Sequence, residues 1–299
     1  MTAPAPRYRW VVLVVGVVAQ AAFSAVSTGL PAVAPALRAH YGLSIAQLGV
    51  ALAAAVTGMV VTMLGWGMLA DRVGERLVMS AGLFAAAGCV LLAARVDGAV
   101  PLIATLGLAG MFGASVNAAS GRAVAGWFPP AERGMAMGVR QSALPLGGAL
   151  AAVTLPSVAG RDDAPRALLV LAAVCAVGAL AAAVGMRDPA PEPRPGGADR
   201  EVADPHPLRD GRIWRLAAVS FALVVPQLAL LSFVALYLHD ERGLSPVAAG
   251  AVLGGIQITG AVARIVAGVA SDRRGARLPL LRRLAMAVLA ALVAGVLLL

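Results

Sequence analysis

Long apolar runs separated by short charged breaks fill this sequence from Trp10 to Leu299. A bilayer core about 30 Å thick needs roughly 20 helical residues to cross it. By that ruler the sequence predicts spanning helices near 10–36, 47–70, 77–94, 100–128, 134–159, 167–186, 213–238, 247–271 and 278–299. The alternating pattern of an outer-membrane barrel is absent from these runs. Only 13% of the residues are charged and 60% are hydrophobic. A soluble domain carries about 25% charged residues, and half that cannot cover a globular surface. A soluble enzyme and a disordered scaffold are therefore excluded. The expected class is an all-α membrane protein whose first partner is the lipid bilayer.

The net charge of +9 resides entirely on arginine, since all 24 basic residues are Arg. Most lie in the breaks, where positive charge sets orientation instead of forming a nucleic-acid face. With the N-terminus inside, sixteen arginines fall on the cytoplasmic side: Arg7, Arg9, Arg72, Arg76, Arg133, six in 187–215 and five in 273–283. Five fall outside: Arg38, Arg95, Arg161, Arg166 and Arg242. The imbalance predicts a multi-pass protein of the cell (inner) membrane with a cytoplasmic N-terminus. The first apolar run is too long for a signal peptide and is followed by more spans. Cys89 and Cys175, each alone in an apolar run, form neither a disulfide framework nor a metal site. No nucleotide-binding loop, metal cluster or nucleophile triad is present, so no cofactor and no enzymatic activity are expected.

Between Arg187 and Arg212 the composition turns to Pro, Gly and charge, the mark of a linker. It divides the chain into a six-helix bundle (1–186), a cytoplasmic linker (187–212) and a later three-helix part (213–299). The two parts repeat. Gly42-Leu43-Ser44 returns as Gly243-Leu244-Ser245, and Gly67, Asp71, Arg72, Gly74 and Arg76 return as Gly268, Asp272, Arg273, Gly275 and Arg277, every pair 201 residues apart. A gapless repeat of this length indicates a duplicated bundle. Helix starts repeat as well: Ser44 and Gln47 make a capping box, and Ser245 precedes Pro246 at a first helical position. Doubling six spans gives twelve, so the sequence reads as about three-quarters of a carrier, a fragment or a truncated gene product.

The repeated Gly-x-x-x-Asp-Arg-x-Gly-x-Arg resembles the cytoplasmic signature of the major facilitator superfamily. The resemblance extends over the whole chain in span number, linker position and orientation. It implies a facilitator-type bundle, a complete six-helix half and an incomplete second half, in which the two motif copies latch the bundles in the outward-facing state. The alternative for either copy is a topological anchor without a gating role. The resemblance further implies that the second copy packs at the start of the fifth span, near Gly134, and that the first packs on an eleventh span. Physically, a glycine one turn before the Asp permits close helix approach, and the Asp can face a neighbouring helix's positive N-terminus.

Arginines within spans point to the substrate, because a mid-membrane charge costs about 2.5–3.5 kcal/mol and faces a partner or cavity. Arg264 lies about 12 Å from the cytoplasmic end of its span and Arg140 about 10 Å, at 1.5 Å per residue. Both are candidates for binding an anion in the cavity. Arg122 is within snorkelling reach of the interface and is a candidate partner of Asp71. Gln20, Ser24 and Ser27 share one face of the first helix, while Gln257 and Arg264 share one face of the eighth. Asn117, Gln141 and Gln227 are further candidate cavity residues. Any one of these amides or hydroxyls could instead make an ordinary interhelical hydrogen bond worth about 0.6 kcal/mol. The segment from Arg122 through Glu132-Arg133-Gly134 to Arg140-Gln141 resembles the fourth-to-fifth-span region of facilitators that move anions. Pro145, Gly147 and Gly148 are similar in part to the antiporter signature of drug exporters, although Leu144 stands where that signature has glycine.

The expected function is secondary transport of a small organic or inorganic anion by a monomeric carrier working through alternating access. Arg140, Arg264, Gln141, Gln257, Gln20 and Asn117 are the expected substrate residues. Two rivals stand beside it: export of an amphipathic drug, and a truncated chain without transport.

Overall fold

The computed structural model describes residues 7–159, 163–188, 210–244, 246–275 and 282–291. The described residues are helices joined by short turns, with no strand among them. In chain order these are α1 (Tyr8–Gly29), a 3-10 turn (Leu30–Val33), α2 (Ala34–Tyr41), α3 (Ile45–Val73), α4 (Glu75–Ala93) and α5 (Ala99–Trp127). Then come α6 (Arg133–Ala159), α7 (Ala164–Gly185), α8 (Gly211–Asp240) and α9 (Pro246–Arg274). Seven stretches among the described residues are long and apolar enough to cross a membrane, Tyr8–Tyr41 counting as one. Residues 282–291 are helical, within the expected ninth span. Most of the linker, together with Arg277, lies outside the described residues.

The first span is longer than the apolar run suggested. It continues to Tyr41 through the 3-10 turn because Pro31 lacks the N–H that an unbroken helix needs, and the chain re-enters helix with Pro35 in the first turn of α2. Gly42 then stops it in the left-handed region at φ +61, and Gly243 repeats that at φ +67. Gly74 at φ +89 and Gly275 at φ +63 form a second such pair. The 201-residue repeat is therefore present in the backbone as well as in the sequence. The expected capping box stands at the start of α3, with Gln47 N–H donating to the Ser44 hydroxyl at 3.2 Å and Ser44 N–H to the Gln47 amide at 2.9 Å.

By their contacts the described residues form two units, within 1–189 with 257–275 and within 190–256 with 276–299. In the first, helices meet through small residues, as association in lipid requires. A Cβ at Gly110 would collide with the backbone of Ala55, and one at Gly58 would lie 3.0 Å from the Met111 nitrogen. The crossing of α3 and α5 is therefore backbone against backbone. Thr62 and Trp66 of α3 fasten it by donating to the Met111 carbonyl at 2.8 and 2.6 Å. On the other side of α1, the α6 glycines Gly147 and Gly148 leave no room for a Cβ against Ala21 and Thr28. The core between these helices is apolar, with Phe23, Leu30, Leu83, Leu102, Leu106 and Leu168 fully buried. Outward faces are equally apolar: Val60, Val61, Leu64 and Met68 of α3 are exposed, a surface suited to hydrocarbon and a liability in water. The second unit carries α8, interrupted in composition by Pro226, and the turn through Gly243 into α9.

Candidate functional site

Among the described residues Arg140 is the most deeply set cation, with 5% of its surface exposed. Its position on α6 turns it toward α1 and α5. Nη1 donates to the Gln20 amide oxygen at 3.0 Å and to the Ser120 hydroxyl at 2.7 Å. Nη2 reaches the Gln141 amide oxygen at 3.4 Å. Nε is buried and has no acceptor. Ser120 spends its own proton on the Val116 carbonyl at 2.5 Å, so it presents a lone pair to the guanidinium. Gln20 passes the network on, donating to Asn117 at 2.9 Å, whose amide in turn meets the Met59 sulfur at 3.2 Å. Every oxygen touching Arg140 is neutral. Among the described residues no carboxylate pairs with it, although burying a charge in a bilayer costs about 2.5–3.5 kcal/mol even on lenient scales.

Of the expected substrate residues, the structure thus gathers Gln20, Asn117, Arg140 and Gln141 around one guanidinium and adds Ser120, which the sequence reading passed over. Ser120 stands one turn after Asn117 on α5, and that spacing was the available signal. Ser24 is buried and ties α1 to α6 by donating to the Leu144 carbonyl at 2.6 Å, next to Pro145 in the interior of α6. Gln227 is exposed on α8. Arg264 and Gln257 lie half-buried on α9 and make no side-chain hydrogen bond among the described residues. The Arg264 backbone, not its guanidinium, meets α6: a Cβ at Gly138 would lie 2.5 Å from the Arg264 carbonyl oxygen. Gly138 precedes Arg140 by two residues, about 200° around the helix. Arg140 therefore projects from the face of α6 opposite to the α9 contact.

The two motif copies have different surroundings. Asp272 accepts from the backbone N–H groups of Gly134 and Met135, at 2.8 and 2.7 Å, where α6 begins. Gly268 lies directly on Gly134, whose Cβ, if present, would be 2.5 Å from the Gly268 carbonyl oxygen. In the first copy Asp71 pairs with Arg122, and Arg122 Nε donates to Glu75 at 2.9 Å. Glu75 is the buried partner, its side chain 11% exposed against 63% for Asp71. A Cβ on Gly67 would meet nothing within 4 Å. Arg72 and Arg273 are exposed, and Arg277 lies outside the described residues.

Further contacts at this end of the bundle were not anticipated. Asp188, just after α7, accepts from Arg76 N–H at 2.9 Å, while Arg76 Nε donates to the Ala183 carbonyl at 2.8 Å. The turn at Gly74 makes room, since a side chain there would run into Asp188. Arg9 pairs with Glu132 at 3.1 Å, just ahead of the α6 start that Asp272 holds. Trp127 Nε1 donates to the Arg187 carbonyl at 2.9 Å, and the Arg187 guanidinium lies 4.2 Å from the Tyr8 ring centroid. A cavity of about 490 Å³ between α1, α6 and α7, lined by Val18, Ala25, Leu150, Leu155 and Val174 among others, is apolar and holds none of the expected site residues.

Comparison with known proteins bears on this arrangement. The pattern of the Major Facilitator Superfamily matches residues 12–299. Two strains of Mycobacterium tuberculosis each have an uncharacterized MFS-type transporter that is 35% identical over 284 residues, covering 95% of this chain and 63% of the relative. The chain thus spans less than two thirds of the length of these relatives. A 4-hydroxybenzoate transporter of Pseudomonas aeruginosa is 48% identical over 52 residues, 17% of this chain and 12% of that protein. Among solved structures, a proton:xylose symporter bound to 6-bromo-6-deoxy-D-glucose gives a TM-score of 0.47 at 17% identity, over 60% of this chain and 43% of that one.

Proposed function

This multi-pass membrane chain belongs to the Major Facilitator Superfamily, and on that premise we propose that it moves a small organic anion across the cell membrane by alternating access. In this reading it is a monomer with its N-terminus in the cytoplasm. The observation that carries it is Arg140: a buried cation facing α1 and α5, held by neutral groups and with no counter-charge among the described residues. A fixed positive charge of this kind attracts an anion into a low-dielectric cleft, where the attraction is stronger than in water. Gln20 and Asn117 supply neutral donors and acceptors for the remainder of the solute, and Gln141 holds the guanidinium until the solute takes its place. Arg264 and Gln257, on α9 and across α6 from Arg140, meet the solute at another point of its path. The partial likeness to a 4-hydroxybenzoate transporter favours an organic carboxylate over an inorganic ion.

Each copy of the charged motif serves as a latch at the cytoplasmic end. Asp272 holds the start of α6 through two backbone N–H groups, bonds that a tilting bundle must give up together. Export of a cationic drug would call for a carboxylate facing the cleft, and the Arg140 cluster offers only amides and hydroxyls.

The test is uptake of radiolabelled benzoate into proteoliposomes, run beside efflux of a cationic dye. The proposal expects saturable benzoate uptake, abolished by Arg140→Ala with insertion intact. Dye efflux without benzoate uptake would overturn it.

A further inference from the structure

Resting on the reading of Arg140 as an anion site, we infer that the ligand is a planar monocarboxylate gripped side-on, by the Nε and Nη2 edge of that guanidinium. A guanidinium has two edges able to donate a parallel pair of hydrogen bonds: one formed by its two terminal nitrogens, the other by Nε with Nη2. The first is used up on the Nη1 side, whose two protons go to Gln20 at 3.0 Å and Ser120 at 2.7 Å. On the other edge Nε has no acceptor, and Nη2 has one contact, a 3.4 Å approach to Gln141. That distance is at the weak end for N–H···O, and Gln141 is an exposed residue. Gln20 and Ser120 are both buried. The structure therefore separates two anchors, which fix the plane of the guanidinium, from one exchangeable acceptor standing where a ligand oxygen would bind.

The class of ligand follows from the charge and shape of this edge. At this edge one cation stands among neutral groups, since Arg264 lies on α9, across α6 from it, and one cation balances one negative charge, which disfavours a dianion. Two coplanar N–H vectors match the two oxygens of a carboxylate, a fit that a spherical ion cannot use. Gly121 lines one face of the guanidinium, where a Cβ would lie at contact distance, 3.4 Å from Nη2 and 3.6 Å from Cζ. Gln141 swings aside on binding, and Gln20 and Ser120 stay.

The experiment measures benzoate and chloride binding to the full chain in lipid nanodiscs by isothermal titration calorimetry. In the unaltered protein benzoate binds at least about tenfold more tightly than chloride, as expected for two charge-assisted hydrogen bonds against a bare charge. Arg140→Lys keeps the charge and removes the fork. It lowers benzoate affinity about tenfold and changes chloride affinity by less than about twofold. Gln141→Ala, a change at an exposed position, leaves benzoate affinity equal or up to about threefold higher, because it removes a competitor. Equal affinity of the unaltered protein for benzoate and chloride, full benzoate affinity in Arg140→Lys, or a tenfold loss in Gln141→Ala each overturns side-on capture while leaving an anion site at Arg140. Undiminished binding of both anions by Arg140→Ala would instead overturn the anion-site reading itself.

Discussion

Asp272 closes the start of α6 by accepting the backbone N–H of Gly134 at 2.8 Å and that of its neighbour Met135 at 2.7 Å. A carboxylate so placed meets otherwise unpaired donors and the positive end of the helix dipole together. Its repeat counterpart Asp71 meets an arginine side chain at an exposed site. The same motif thus makes two unlike contacts, and they should respond differently to mutation. Asp272→Ala is expected to cost about 1–2 kcal/mol. Asp71→Ala is expected to cost under about 1 kcal/mol, as for exposed ion pairs. Reversible unfolding in mixed micelles compares the two directly, and equal losses would contradict the asymmetry.

Gly134 offers a steric test of the same contact. A methyl group there would enter the space of the Asp272 carboxylate and the Gly268 carbonyl, both 2.5 Å from the Cβ position. Gly134→Ala should therefore force α6 and α9 apart and cost about 1–3 kcal/mol, the usual range for overpacking. Gly67→Ala, with open space around the same motif position, should cost less than about 0.5 kcal/mol. The unfolding assay above ranks them, and a reversed order would contradict the packing described.

How far the sequence foretold these features depends on which contacts made them. Apolar runs and the 201-residue repeat lie in the chain itself, so the helices, the Ser44–Gln47 capping box and the pairing of Gly42 with Gly243 and of Gly74 with Gly275 were legible. The place of Arg140 well inside a long apolar helix was legible too, because it follows Arg133 by seven residues. Its direction was not. Whether Arg140 turns toward α9 or toward α1 and α5 depends on which face of α6 carries the close-packing glycines, and Gly134 and Gly138 give that face to α9. Identical motif letters likewise hid the difference between Asp71 and Asp272, which arises from their neighbours. Glu75 and Asp188 escaped notice because both sit at helix ends, where the fold decides what they touch.

Glu75 leads to a prediction about the first motif copy. Arg122 bridges the exposed Asp71 and the buried Glu75. Removing Arg122 leaves Glu75 buried without its cation, whereas removing Asp71 leaves Arg122 still paired. Arg122→Ala should destabilise the bundle by at least about 1 kcal/mol more than Asp71→Ala does. Restoration of stability in the double variant Arg122→Ala, Glu75→Gln would confirm the cause. No recovery would place the loss in the packing of the Arg122 stem.

Arg264 has no hydrogen-bonding partner among the described residues, and its guanidinium folds back toward Gly260, where a Cβ would lie 3.4 Å from Nη1. It is expected to matter for the solute and little for the fold. Arg264→Ala should abolish saturable benzoate uptake and leave the unfolding midpoint within the change typical of surface substitutions, about 0.5 kcal/mol. Unchanged uptake would remove Arg264 from the site.

All of this requires both motif copies to lie at one face of the membrane, since a duplicated bundle of six spans returns the chain to the side where it began. Single cysteines at positions 71 and 272, in a background lacking Cys89 and Cys175, report this in intact cells through a membrane-impermeant thiol reagent. The account predicts that neither cysteine reacts until the cells are opened and that both react afterwards. Labelling of one from outside and the other from inside would contradict it.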